Sequence, residues 1–126
     1  MTRVAFLRAV PIFLATGLLA AFAAACGSSD DPPAGAKTVA LELTDAGCSP
    51  ATANAPAGPI HFQIENAGTA KVTEMEIMEG DKILGERENI TEGLSSDFTL
   101  TLEKGSYTIY CPGGSDERGT LTVTGG

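Results

Sequence analysis

The sequence predicts an all-β domain built from two sheets packed face to face. From residue 37 onward, short runs alternate apolar and polar residues, which is the two-residue period of half-buried strands. Gly, Pro, Asn and Asp separate these runs, and no run has the 3.6-residue apolar period of an amphipathic helix. Because seven or eight short strands in one sheet would leave an apolar face in water, a sandwich is expected.

The predicted strands follow one another closely along the chain. The first covers residues 38–44 and places Val39, Leu41 and Leu43 on one face. A loop with a short extended piece follows at residues 45–58. The later strands are predicted at residues 60–66, 72–79, 82–90, 96–103, 106–111 and 119–125.

Two of these strands carry Glu74, Glu76 and His61. In strand 72–79, Met75 lies on the inward face, and Glu74 and Glu76 lie on the other face. His61, on strand 60–66, is expected to be a surface or sheet-packing residue.

Residues 1–25 have the composition of a secretory signal peptide. A start charged by Arg3 and Arg8 precedes a small, apolar stretch at residues 11–25, which is short for a membrane-spanning helix of about 20 residues. Cys26 after three alanines resembles the lipobox of bacterial lipoproteins, which implies a lipid anchor on the outer, extracytoplasmic face of the cell membrane. Ordinary cleavage in front of an unmodified Cys26 is the alternative.

The remaining chain divides into a tether and one domain. Residues 26–36 are rich in Gly, Ser, Asp and Pro, which predicts a flexible tether, and the domain is predicted at residues 37–126.

The net charge of −8 and scattered basic residues argue against a nucleic-acid partner. Without a nucleophile and base at motif spacing or a Gly-rich phosphate loop, we expect no enzymatic activity.

Two cysteines remain once Cys26 is assigned to the lipid. An even pair, Cys48 and Cys111, in an exported and oxidising setting predicts a disulfide. The alternative is that both are thiolate ligands of a metal ion. Oxidation removes the thiolates, so the two alternatives exclude each other at any moment, although a redox-dependent site could pass between them.

Four motifs, in order, are similar to the cupredoxin-like domain of the EfeO-type iron-uptake proteins. They read DAGCSP, EMEI, ERENI and GSYTIYC, at residues 45–50, 74–77, 86–90 and 105–111. The first motif contains one extra residue, Ala46. Over residues 38–124 the order of strands and turns also resembles cupredoxin-like domains in general. The resemblance implies a Greek-key β-sandwich with a metal site at one end.

The implied site differs from a blue-copper centre. Cys111 is followed by Pro and Gly instead of the expected His and Met, and Glu74 stands where such proteins have a His. The resemblance implies instead a mixed sulfur and carboxylate site of Cys48, Cys111 and Glu74. The weaker candidate ligands are Glu76, Glu86 and Glu88.

The ligand types do not choose between iron and copper. Carboxylates suit ferric iron, and thiolates suit softer ions such as Cu(I). Simpler interpretations are a solvated strand face for Glu74 and Glu76, and a surface ion-pair cluster around Arg87 for Glu86 and Glu88.

The function that the resemblance implies is a membrane-anchored lipoprotein that binds iron or copper. It would pass the ion to a transport or redox partner protein. The alternative is a metal-free, disulfide-stabilised module that binds another protein.

Overall fold

Nine β-strands in two sheets make up the part of the chain, residues 31–126, that the computed structural model describes. The strands are β1 (Lys37–Thr44), β2 (Gly47–Ser49), β3 (Thr52–Pro56), β4 (Gly58–Asn66), β5 (Met75–Glu79), β6 (Lys82–Arg87), β7 (Ser95–Leu102), β8 (Gly105–Tyr110) and β9 (Arg118–Thr124). The predicted all-β class is confirmed. The structure has one strand more than predicted, because the predicted loop with its extended piece forms two strands, β2 and β3.

Predictions about the start of the chain lie outside this range. They are the signal peptide, the lipid on Cys26 and the first part of the tether, and they stay predictions. Between residues 31 and 126 no helix is present that is long and apolar enough to cross a membrane.

The chain crosses repeatedly between the two sheets. The first sheet has the strand order β2-β1-β4-β7, and the second has the order β3-β9-β8-β5-β6. Two pairs are parallel, β1 with β4 and β3 with β9, and the other pairs are antiparallel. These crossovers give the expected Greek-key sandwich.

The core lies between the sheets, where the predicted strand faces meet. The inward residues of the first sheet are buried, including Leu41, Phe62 and Phe98, and the Phe62 and Phe98 rings stack with centroids 5.1 Å apart. The second sheet contributes Ile77 and Ile109, both fully buried. Alternating apolar residues therefore fix which side of each strand faces the core.

Asn66 holds the loop that leads into β5. Its side chain is fully buried, and its Oδ1 accepts hydrogen bonds from the backbone N–H groups of Gly68 and Thr69. Its Nδ2 lies within hydrogen-bond distance of the carbonyl oxygens of Thr69, Val72 and Ile90. One side chain thus connects the end of β4 to the residues on both sides of the β5–β6 hairpin.

The β5–β6 hairpin contains a bulge. Ile77 lies opposite Gly85 and Met78 opposite Ile83, so Leu84 is an extra residue on β6. A Cβ atom on Gly85 would lie 2.8 Å from Cε2 of Phe98. The missing side chain therefore allows β6 to approach β7 of the opposite sheet closely.

Candidate metal centre

Three carboxylates meet on the outer face of the second sheet. They belong to Glu74 in the loop before β5, Glu76 in β5 and Glu86 in β6, and one oxygen of each lies within 4.8 Å of the others. Glu76 and Glu86 are directly opposite each other in the hairpin, so their side chains point to the same side. Among residues 31–126, no other group of three or more His, Cys, Asp or Glu side chains brings its ligand atoms within 4.8 Å of one another.

The burial of Glu76 corrects the interpretation of this residue as part of a solvated strand face. Glu76 is only 7% exposed, Glu74 is half-buried and Glu86 is exposed. The reason is that β5 is not an edge strand, since it lies between β8 and β6. Glu76 therefore has Tyr110 on one side and Glu86 on the other.

The surroundings of Glu74 disfavour its charged form. The pKa of Glu74 is raised above its usual value of 4.5, first because burial disfavours the charged carboxylate. A hydrogen bond with Glu76 and the negative charges of Glu76 and Glu88 raise that pKa further. Such a group of carboxylates is relieved by a shared proton or by a bound cation. Its donors are all oxygen atoms, the type that hard cations prefer.

The two cysteines lie on the inner side of the sheets, where Cys111 belongs to the core and Cys48 is partly buried against it. Cys48 and Cys111 form a disulfide with a Cα–Cα distance of 5.8 Å, which joins β2 of the first sheet to the end of β8 in the second. Cys111 is fully buried in the core on the same face as Ile109, whereas its neighbour Tyr110 shares the outer face with Glu76.

The structure thus divides the candidate ligands into two groups. Glu74, Glu76 and Glu86 come together outside the second sheet, and the cysteines pair in the core. While the disulfide is intact, neither sulfur is a thiolate ligand, so a mixed site with Glu74 would require reduction. Glu88 contributes its charge from nearby and is outside the group of three.

Two residues beside the carboxylates were not candidates from the sequence. Tyr110 lies opposite Glu76, and the guanidinium of Arg118 lies 4.6 Å from the Tyr110 ring centroid. Glu86, Glu76, Tyr110 and Arg118 therefore form one row across four strands. Only the strand register reveals this row, because its members are far apart in the sequence.

The crossover connections and the two-sheet packing define a sandwich of the cupredoxin fold. Residues 15–123 match the family model described as a cupredoxin-like domain. The chain belongs to the cupredoxin-like domain family, and the resemblance predicted from the four motifs is confirmed.

Two curated relatives are iron uptake system components named EfeO. The chain is 34% identical over 121 residues, 96% of its length, to EfeO of Yersinia pseudotuberculosis. It is 37% identical over 87 residues, 69% of its length, to EfeO of Escherichia coli strain K12. It spans 31% and 23% of the lengths of these two proteins.

A solved structure supports the fold. Auracyanin from Roseiflexus castenholzii superimposes with a TM-score of 0.57 at 16% identity, over 71% of this chain and 98% of auracyanin. At this level of identity, the similarity concerns the fold alone.

Proposed function

We propose that this chain binds a transition-metal ion, in the first place ferric iron, through the carboxylates of Glu74, Glu76 and Glu86. The observation that carries the proposal is the meeting of three carboxylate oxygens within 4.8 Å, one of them on the buried Glu76. Like charges this close destabilise the hairpin unless something binds between them. A cation compensates that repulsion directly.

The donor set favours iron over copper. With the cysteines in a disulfide, the available donors are oxygen atoms, which suit ferric iron, whereas Cu(I) prefers sulfur. The names of the EfeO relatives support an uptake role. We therefore propose capture or transfer of iron, with copper as the second ion to test.

The proposed setting is the outer face of the cytoplasmic membrane. A lipid on Cys26 would hold the chain there, and residues 26–36 would tether the domain. A transport or redox protein of the same membrane would be the partner that receives the ion.

Metal titration of the full chain in detergent tests the site. Fe(III), delivered as its nitrilotriacetate chelate, is expected to raise the melting temperature, because a ligand that binds only the folded state stabilises it. Glu76→Gln should remove most of this rise. The matched control is Glu103→Gln, since Glu103 is exposed between β7 and β8, outside the carboxylate group. Equal rises in wild type and Glu76→Gln would reject the site.

Two observations favour the alternative, a metal-free module that binds a protein. Ile83 and Leu94 are large apolar residues that are 45% and 52% exposed, and the disulfide already stabilises the fold without a metal. If Fe(III), Cu(II) and Cu(I) all leave the melting temperature unchanged, the disulfide-stabilised module becomes the better proposal.

A further inference from the structure

A groove of about 570 Å³ lies on the outer face of the first sheet, on the opposite side of the sandwich from the carboxylate group. Outward side chains of β1, β4 and β7 line it, and so do Asp31 and Pro32 from the segment that precedes β1. The acidic residues of its lining are Asp31, Glu42, Glu65 and Asp97.

The single histidine of the sequence, His61, lines this groove. It occupies an outward position between the inward residues Ile60 and Phe62, yet its side chain is only 4% exposed. Its Nδ1 lies 3.1 Å from Oγ1 of Thr99, within hydrogen-bond distance. Its Nε2 lies 3.8 Å from Oδ2 of Asp97, which is beyond hydrogen-bond distance.

Nε2 therefore has no hydrogen-bond partner among residues 31–126 and faces a carboxylate. When Nδ1 carries the proton and donates it to Thr99, the lone pair of Nε2 points toward Asp97. Metal-binding histidines are commonly held in this way, with the other ring nitrogen donating to an oxygen.

We propose that Nε2 of His61 and the carboxylate of Asp97 bind a second metal ion, a divalent transition-metal cation. Two donors that each lie about 2.1 Å from one ion are at most about 4.2 Å apart, so the observed 3.8 Å suits a shared ion. Imidazole nitrogen suits copper, zinc and nickel. Gln63 lines the same groove directly opposite Asp97 in the β4–β7 pair, and its amide oxygen is the nearest candidate for a third donor on this sheet face.

This second site is independent of the proposed iron site. It lies on the other sheet, and it contains a nitrogen donor that the carboxylate group lacks. Loss of either site is expected to leave the other intact.

The presence of one histidine makes the test specific. Cu(II) alone is added, one equivalent at a time, to the full chain produced without a polyhistidine tag, and pulsed electron paramagnetic resonance detects the remote imidazole nitrogen. We expect the imidazole signal at stoichiometric Cu(II) and its complete loss in His61→Gln. Asp97→Asn should weaken Cu(II) binding at this site by about tenfold or more.

Two control variants show whether the imidazole signal and the Cu(II) affinity depend on other acidic residues. Asp81→Asn, the matched control in the exposed β5–β6 turn, should keep both the imidazole signal and the affinity. Glu76→Gln should keep the imidazole signal even where it abolishes the response to Fe(III). Absence of the imidazole signal at stoichiometric Cu(II) would overturn the proposal.

Asp97→Asn still tests the proposal if His61→Gln fails to fold. The Asp97 side chain is 48% exposed, so Asp97→Asn should fold normally, as circular dichroism can verify. If this folded variant binds Cu(II) with the affinity and imidazole signal of wild type, His61 and Asp97 form only a polar contact and the proposal is wrong.

Discussion

Glu74→Gln should stabilise the metal-free protein at neutral pH. The pKa of Glu74 in the folded chain lies above the ordinary value of 4.5, so the folded state binds a proton more readily than the unfolded state. Stability conferred by this group therefore falls as the pH rises from 4.5 through the raised pKa. Glutamine has no charge to bury and none that Glu76 and Glu88 can repel, and it has nearly the same size as the glutamate that it replaces.

The expected gain is about 1 kcal/mol. Two unit charges 4.8 Å apart repel by ~0.9 kcal/mol at the dielectric constant of water, and by ~3.5 kcal/mol at an effective constant of 20. Because Glu74 is only half-buried and Glu88 is exposed, solvent screening favours the lower end of this range. The free energy of unfolding should thus rise in the variant, even though one candidate ligand is lost.

Urea denaturation at pH 7 and at pH 4, with a chelator present, measures the effect. The gain should be present at pH 7 and nearly absent at pH 4, where the wild-type carboxyl is largely protonated in both states. The same variant should lose its response to Fe(III), so that stability and binding change in opposite directions. A variant that is less stable than wild type at pH 7, or that gains equally at both pH values, would refute the reasoning. Glu103→Gln provides the baseline for removing an exposed negative charge.

Three further changes test the fold. Replacing Cys48 and Cys111 with alanine should lower the free energy of unfolding by about 4 kcal/mol, because the disulfide closes a loop with a sequence separation of 63. Asn66→Ala should cost about 3 kcal/mol, since buried backbone groups lose their partners. Gly85→Ala should cost about 1–3 kcal/mol, because the new Cβ would collide with the Phe98 ring. Urea denaturation at pH 7 measures all three.

Matched substitutions provide controls for these changes. Gly68→Ala adds a Cβ in open space and should be much milder than Gly85→Ala. Asn89→Ala removes an exposed asparagine and should cost less than Asn66→Ala, although Asn89 has a positive φ of 59°. Equal costs within either pair would contradict the proposed contacts. A cysteine-free variant as stable as wild type would contradict the role of the disulfide.

The sequence predicted the sandwich because strand periodicity depends on local residues. Val39, Leu41 and Leu43 alternate with polar residues, and all three are buried in the core as expected. The β5–β6 turn at Gly80 and Asp81 also lies where it was predicted. Turn residues and alternation act over a few positions, so one sequence is sufficient to read them.

The candidate site was predicted only in part, because its geometry depends on register. The bulge at Leu84 sets which residues of β6 face Glu76. Gly85 inside this strand is a sequence signal for a bulge, but it does not give the register of the two strands. The burial of Glu76 and the position of Tyr110 depend on β5 lying inside the sheet. The partner of Nδ1 of His61 likewise depends on the pairing of β4 with β7.

The parallel pairing of β1 with β4 affects how this domain would respond to mechanical force. A pull on the segment before Lys37, opposed at the other end of the sandwich, loads the β1–β4 hydrogen bonds in shear, so that they resist together. If β1 were nevertheless stripped away, extension from the N-terminal side would stop at Cys48, because the disulfide closes the chain between Cys48 and Cys111. Glu74, Glu76 and Glu86 all lie within that closed loop, so a pull on the segment before Lys37 would not extend the part of the chain that carries them.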